Sequence, residues 1–213
     1  MRIVTAAQMK QIECNADAGG LSYLQMMENA GTAAYQIIRA HKPDAHVLAI
    51  VAGKGNNGGD GFVIARLAAQ DGLAVRVVLA EGEPVTVDAK TNFHRLDGLN
   101  VTVCPIEQID RLTDADVVID ALYGTGFHGT LRPSGAKACC FMNESGAYLA
   151  ALDLPSGIHA DTGAVAEGAV HADLTVTFDS YKPLHVQETS KPYCGEIVLA
   201  DIGISEECHN GIG

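Results

Sequence analysis

Three short stretches of this 213-residue chain mix carboxylates, amides or hydroxyls with clustered glycines, the ingredients of an acid–base or ion-binding site. The first reads Gly53-Lys54-Gly55-Asn56-Asn57-Gly58-Gly59-Asp60-Gly61. Its glycines let the backbone approach a ligand closely, and successive N–H groups leading into a helix expected after Asp60 make an anion site. Gly53, Gly55 and Gly58 satisfy the dinucleotide pattern G-x-G-x-x-G, with Glu81 where a ribose-binding acid is expected. Asn56, Asn57 and Asp60 go beyond that fingerprint and suit a further task, such as holding a cation or a polar ring. A phosphate-binding P-loop is excluded, because no Gly-Lys-Ser/Thr follows at the required spacing.

The second stretch runs from Asp120 through Gly124-Thr125-Gly126-Phe127-His128-Gly129-Thr130, another backbone cradle with a carboxylate expected to face the crevice. The third, Asp153-Leu154-Pro155-Ser156-Gly157, places a hydroxyl on a rigid turn beside a carboxylate. Asp153 is the candidate acid/base; the alternative is a structural carboxylate capping the Ser156-Gly157 turn. His128 lies in a ligand loop, but it and His159 read first as exposed loop histidines, and Lys54 as a phosphate ligand or a solvated side chain. Glu28 and Asn29 read as a helix-packing pair, Met9, Met26 and Met27 as core or interface, and Cys139-Cys140 as helix packing.

These stretches need strands to present them. Short β-prone runs occupy 46–52, 73–80, 100–104, 116–122, 147–152, 174–178 and 196–200, and most are continuously apolar, as in Val47-Leu48-Ala49-Ile50-Val51. Such runs belong in a sheet covered on both faces. Helices are expected after Thr5 and Ser22, both good caps, and over 61–70, 85–96 and 135–144. The fold class is α/β, doubly wound, with a mostly parallel Rossmann-like sheet in a single domain over 1–213. The 174–204 stretch lacks an obvious helix, so antiparallel edge strands are expected there. In such sheets ligands bind outside the carboxyl ends of the strands, where all three stretches fall.

Twenty-six acidic residues against 14 basic ones give a net charge of −12, which excludes partners that need a broad basic surface, nucleic acid and anionic membrane among them. No apolar run approaches the roughly 18–20 residues of a membrane span. The six cysteines show no zinc or disulfide spacing and read as reduced thiols, so a cytoplasmic location is expected.

Taken together, Met27-Glu28-Asn29-Ala30-Gly31, the 53–61 loop, Asp120 with Gly124-Thr125-Gly126, Asp153-Leu154-Pro155-Ser156-Gly157, Asp173 to Phe178 and Asp201-Ile202-Gly203 resemble the NAD(P)H-hydrate epimerases of the YjeF N-terminal type. The resemblance implies a three-layer α/β/α sandwich, a homodimer, and an isomerase interconverting the R and S epimers at C6 of hydrated NADH or NADPH. It implies a dehydratase partner on a separate chain or a further domain. Matched positions make Asn56, Asn57, Gly58, Gly59, Asp60, Gly124 to Thr130 and Asp153 substrate-binding, and make Asn57, Asp120 and Ser156 ligands of a potassium ion (K+). Chemically the three supply hard oxygen donors that would equally suit sodium or magnesium. The stretch Phe178-Asp179-Ser180-Tyr181-Lys182-Pro183 departs from the family pattern, in which many relatives carry a Gly and a second Pro before the Lys. Two other readings compete: a non-catalytic ligand-binding or scaffold module of the same domain type, and an ordinary NAD(P)-dependent oxidoreductase.

Overall fold

The computed structural model describes residues 1–112 and 114–212. Seven strands form one sheet: β1 (Val47–Ala52), β2 (Ala74–Leu79), β3 (Val101–Pro105), β4 (Val117–Ala121), β5 (Tyr148–Leu152), β6 (Leu174–Phe178) and β7 (Glu196–Ala200). Their order is β3-β2-β1-β4-β5-β6-β7, and every neighbouring pair is parallel. The expected antiparallel edge is therefore corrected. A parallel crossover needs length rather than a helix, and the segment from Asp179 to Gly195 supplies it with two 3-10 turns, Pro183–His185 and Lys191–Tyr193. The ladder is anchored locally by the Thr175 hydroxyl, which donates to the Cys194 carbonyl at 2.7 Å.

Helices cover both faces. Helix α2 (Tyr23–His41), α3 (Asn56–Gln70) and α4 (Val87–His94) pack on one side, where Ile38, Phe62 and Ile64 meet Leu48, Ile50 and Ile119. Helix α5 (Pro133–Glu144) and the 3-10 turn Ile106–Arg111 cover the other, with Cys139 and Met142 against Val51 and Val118. Helix α1 (Ala6–Ala18) starts at the Thr5 capping box: Gln8 N–H donates to the Thr5 hydroxyl, and Thr5 N–H to the Gln8 side chain at 2.7 Å. Ser22 caps α2 through its hydroxyl alone, which accepts from Gln25 N–H.

Helix α3 begins at Asn56 rather than after Asp60. Three glycines in its first two turns read as loop by propensity, but each sits where a side chain has no room. A Cβ at Gly58 would lie 2.0 Å from the Gly53 carbonyl oxygen, one at Gly59 2.5 Å from the Met27 sulfur, and one at Gly61 2.7 Å from the Ala121 Cβ. Gly31 does the same for α2, which touches Val63 of α3 with no intervening side chain. Close packing overrides propensity here and draws the helix N-terminus down onto the sheet. Because the order in which strands are added reverses between β1 and β4, the crevice opens beside that N-terminus.

Candidate functional site

The loops after β1 and β4 are stitched together. Gly53 N–H donates to the Ala121 carbonyl at 2.9 Å. Gly55 caps α3 with backbone alone, so the first-turn N–H groups, including those of Asn56, Asn57 and Gly58, face outward with no capping side chain. Uncapped amides at the positive end of a helix are an anion site. Asn56 is exposed at its rim, whereas Asn57 is buried and lies under Gly124, and its side-chain amide nitrogen has no partner among the described residues.

Asp120 at the end of β4 is completely buried and does not face the crevice as a free carboxylate. It accepts from Ser156 N–H at 2.7 Å, from the Ser156 hydroxyl at 2.7 Å and from Leu122 N–H at 3.2 Å. The Ser156 oxygen in turn accepts from Tyr123 N–H at 2.9 Å. It is thus Asp120, not Asp153, that caps the Ser156-Gly157 turn. Burial pushes the Asp120 carboxyl up to about 6, and the Ser156 and Leu122 hydrogen bonds act against that rise.

Asp153 sits at the end of β5 in the left-handed region, φ +65°, an unfavourable conformation for a non-glycine residue. Its backbone is held there on both sides: its N–H donates to the Val176 carbonyl at 2.7 Å, and its carbonyl faces His185 Nε2 at 3.0 Å. Its carboxylate accepts from the Thr177 hydroxyl at 3.1 Å and pairs with the ammonium of Lys182. Lys182 is 1% exposed, and its ammonium also reaches the Thr177 hydroxyl and the Phe178 carbonyl, each at 3.1 Å. Lys182 N–H faces His185 Nδ1 at 3.0 Å, so the ring is the neutral tautomer protonated at Nε2. Burial and the Lys182 charge drive His185 down to about 4, against the pull of Asp153.

Beside the α3 N-terminus a crevice is lined by Asp60, Asn56 and Glu13, with Met26, Met27 and Phe178 as apolar surface. Enclosure by protein, reinforced by the charges of Asp153 and Glu13, raises the Asp60 carboxyl well above the usual carboxylate range; Lys182 opposes this. In the second loop Gly126, His128, Gly129 and Thr130 are exposed and Gly124 and Thr125 half-buried. Phe127 is buried against Tyr123, ring centroids 5.2 Å apart, where it anchors the loop. His128 and His159 rings lie 4.8 Å apart at its edge.

Glu81 is not a free ribose acceptor, because the Tyr123 hydroxyl donates to its carboxylate at 2.7 Å and Arg132 lies 3.3 Å from the same oxygen. Glu28 and Asn29 serve packing: Glu28 pairs with Arg66 and Arg95, and the Asn29 amide donates to the Ile202 carbonyl at 2.8 Å. Met9, Met26, Met27 and Cys139 are buried, whereas Cys140 is exposed. Another concavity, between Lys42, Asp116 and Tyr148, lies at the amino ends of the strands, remote from these loops. Residue types in the loops pointed to Asp60, Asp120 and Asp153, but not to Glu13 or His185. Glu13 carried one usable signal, its place four residues after Met9 on the buried side of α1. Among the described residues no helix is long and apolar enough to cross a membrane.

Residues 23–184 match the family described as YjeF-related protein N-terminus. An NAD(P)H-hydrate epimerase of Limosilactobacillus fermentum is 36% identical over 93% of this chain and 95% of its own length. Bifunctional NAD(P)H-hydrate repair enzymes of Coxiella burnetii and Pyrobaculum aerophilum are 36% and 39% identical over 93% and 100% of the chain. The chain spans only 41% and 44% of those two proteins. In fold it is similar to yeast ynu0, with a TM-score of 0.79 at 22% identity over 100% of this chain and 94% of that one. With the family pattern spanning most of the sheet and its loops, and relatives above 30% identity along nearly its whole length, the chain belongs to the YjeF-related N-terminal family.

Proposed function

We propose that this chain is an NAD(P)H-hydrate epimerase, interconverting the R and S epimers of hydrated NADH and NADPH. The observation that carries the reading is a strained, lysine-paired carboxylate, Asp153, in the same loop cluster as an uncapped helix N-terminus. The α3 amides suit the pyrophosphate, with Asn56, Asn57, Gly58, Gly59 and Asp60 around it, and the 124–130 loop closes over the remainder. The names borne by relatives of similar length support the same activity.

The hydrate carries its hydroxyl on the carbon next to the ring nitrogen. As a carboxyl group protonates that oxygen, the carbon–oxygen bond breaks and the nitrogen lone pair forms a planar iminium. Water then adds to the opposite face and gives a proton back to a carboxylate, so the centre inverts without oxidation or reduction. Lys182, Thr177 and the backbone contacts of Asp153 hold its carboxylate in one orientation toward this chemistry. Supplying one purified epimer and following the other by NMR tests the reading. Appearance of the second epimer no faster than in buffer refutes it.

The residues assigned to a potassium ion suit one. Asn57 would ligate through its side-chain oxygen, leaving its unpartnered amide nitrogen as a donor for the anionic ligand, and Asp120 brings a buried carboxylate whose hydrogen-bond donors are all uncharged. Such an ion, when bound, supplies positive charge that offsets Asp120 and favours an anionic ligand. Replacing potassium by tetramethylammonium at equal ionic strength is expected to lower the melting temperature by several degrees, the scale of about 2–3 kcal/mol for an ion at ~100 times its Kd. Asn57→Ala is expected to shrink that difference, and a melting temperature indifferent to the cation would exclude the ion. A homodimer in the cytoplasm, working with a dehydratase specific for one epimer, completes the proposal and rests on the family resemblance.

A further inference from the structure

Helix α1 precedes the residues matched by the family pattern, yet it carries a carboxylate into the crevice. Met9, Ile12 and Ala16 fix its buried face, and Glu13 follows Met9 by one helical turn at the margin of that face. Half-buried, Glu13 shares the crevice wall with Asn56 and Asp60, beside Met26, Met27 and Phe178. We infer that Glu13 is a second acid–base group of this crevice, exchanging protons with the C6 oxygen in concert with Asp153. The inference rests on the epimerase reading and deepens it.

Inversion requires one water to leave a face of the ring and another to arrive on the opposite face. A single carboxyl would have to serve both positions, whereas Glu13 on α1 and Asp153 after β5 come from separate elements and are close enough for their charges to act on each other. The balance is complete with two. Glu13 gives its proton to the departing hydroxyl as the carbon–oxygen bond breaks and the nitrogen lone pair closes the iminium. The incoming water forms the new carbon–oxygen bond and passes a proton to Asp153. One water leaves, one enters, and no electron acceptor is needed. Glu13 is then ionised and Asp153 protonated, the arrangement the other epimer requires to react in reverse.

The surroundings of the two groups differ in the manner that separates an acid from a base. Asp153 is tied to the Lys182 ammonium, while Glu13 lies against thioether and phenyl surface. The charged and titratable groups around Glu13 are Asp153 and Asp60, Lys182 and Asp179 from the β6 crossover, Lys10 of its own helix, Tyr23 of α2, and Asp88 of α4, which lines the same crevice. Burial first, then Asp153 and Asp179, raise the Glu13 carboxyl to about 7, with Lys182 and Lys10 pulling the other way. It therefore holds a proton it can part with near neutral pH.

Single-epimer turnover of the full chain, followed by NMR from pH 5.5 to 9, tests this. In the wild-type protein kcat/KM is expected to fall as pH rises through about 7 in both directions, because either direction needs the one proton that Glu13 and Asp153 share and that proton is lost there. Glu13→Gln is expected to lower kcat at least about 100-fold and to abolish that limb, while Glu13→Asp keeps the limb and recovers the rate to within about tenfold of wild type. At pH 8 the Glu13→Gln protein is expected to melt no lower than wild type, since it no longer holds an ionised carboxylate against apolar surface; this separates lost chemistry from lost folding. Wild-type turnover with the limb unchanged in Glu13→Gln overturns the inference alone. A rate loss that Glu13→Asp does not relieve also overturns it, whereas absence of wild-type turnover overturns the epimerase reading and this inference with it.

Discussion

Replacing Asp153 by asparagine is expected to lower epimerisation at least about 100-fold, the usual scale of general acid–base help, and also to destabilise the fold by about 3–5 kcal/mol. The second effect comes from Lys182. Its ammonium is buried, and without Asp153 it keeps only the Thr177 hydroxyl and the Phe178 carbonyl, both neutral. An uncompensated buried charge is far more costly than the pair from which it came. The double variant Asp153→Asn/Lys182→Met removes that charge and fills the space with a flexible apolar chain, so it is expected to recover most of the stability and none of the activity. Urea unfolding at pH 7.5 measures the first, and single-epimer NMR the second. If Asp153→Asn unfolds like the wild type, Lys182 does not depend on this partner; if its rate stays within tenfold, Asp153 is not the acid–base group. Lys182→Met alone supplies a further check, because it leaves Asp153 in place but frees its carboxylate. Activity should fall in that protein through loss of orientation, with less loss of stability than in Asp153→Asn.

How much of this arrangement was legible in the sequence depended on whether the cause was local. All seven strands could be read, because a strand buried on both faces must be apolar at consecutive positions, as β1 and β4 are. The caps at Thr5 and Ser22 were equally plain. Strand direction after β5 was not, since a parallel crossover made of 3-10 turns leaves no helical periodicity to detect, and β6 and β7 were read as an antiparallel edge. The start of α3 was missed for a related reason: Gly58, Gly59 and Gly61 are in the helix because of what lies against them from β1, α2 and β4, and a propensity scale cannot contain those neighbours. The site divides in the same way. Asp120 and Asp153 stand at strand ends next to glycine-containing loops and Asp60 among the glycines of the first turns of α3, so their neighbours in sequence drew attention to them. Glu13 comes from a helix before the first strand, and His185 from a crossover after the sixth; both enter the site only once the sheet is assembled. The alternative that Asp153 caps the Ser156 turn stayed open because Asp120 and Asp153 are alike in sequence, and only the β4–β5 register, which sets Asp120 beside Ala151, separates their roles.

Alanine at Gly53 or Gly58 is expected to destabilise the protein by about 3 kcal/mol or more each and to abolish activity, whereas alanine at Gly55 is expected to fold normally and bind nucleotide weakly. These three glycines make one motif, but they meet different surroundings. A Cβ at Gly53 would lie 1.9 Å from the Leu122 carbonyl oxygen, and one at Gly58 2.0 Å from the Gly53 carbonyl oxygen. Both obstacles are backbone, so relief requires the β1 and β4 loops to part and the Gly53–Ala121 hydrogen bond to break. At Gly55 nothing lies within 4 Å, so the added methyl meets no protein atom and projects where the α3 amides open to solvent. Two of the glycines therefore hold the loops together and the third keeps the anion site clear. Thermal unfolding separates the classes: a loss of several degrees or more for Gly53→Ala and Gly58→Ala, at roughly 2–4 °C per kcal/mol for a chain of this size, against almost none for Gly55→Ala. Calorimetric titration with the nucleotide hydrate then reads the binding defect of Gly55→Ala in a protein that is otherwise intact. Wild-type affinity in that variant would remove the α3 N-terminus from the binding site, and with it the means by which a protein of net charge −12 holds a phosphorylated ligand.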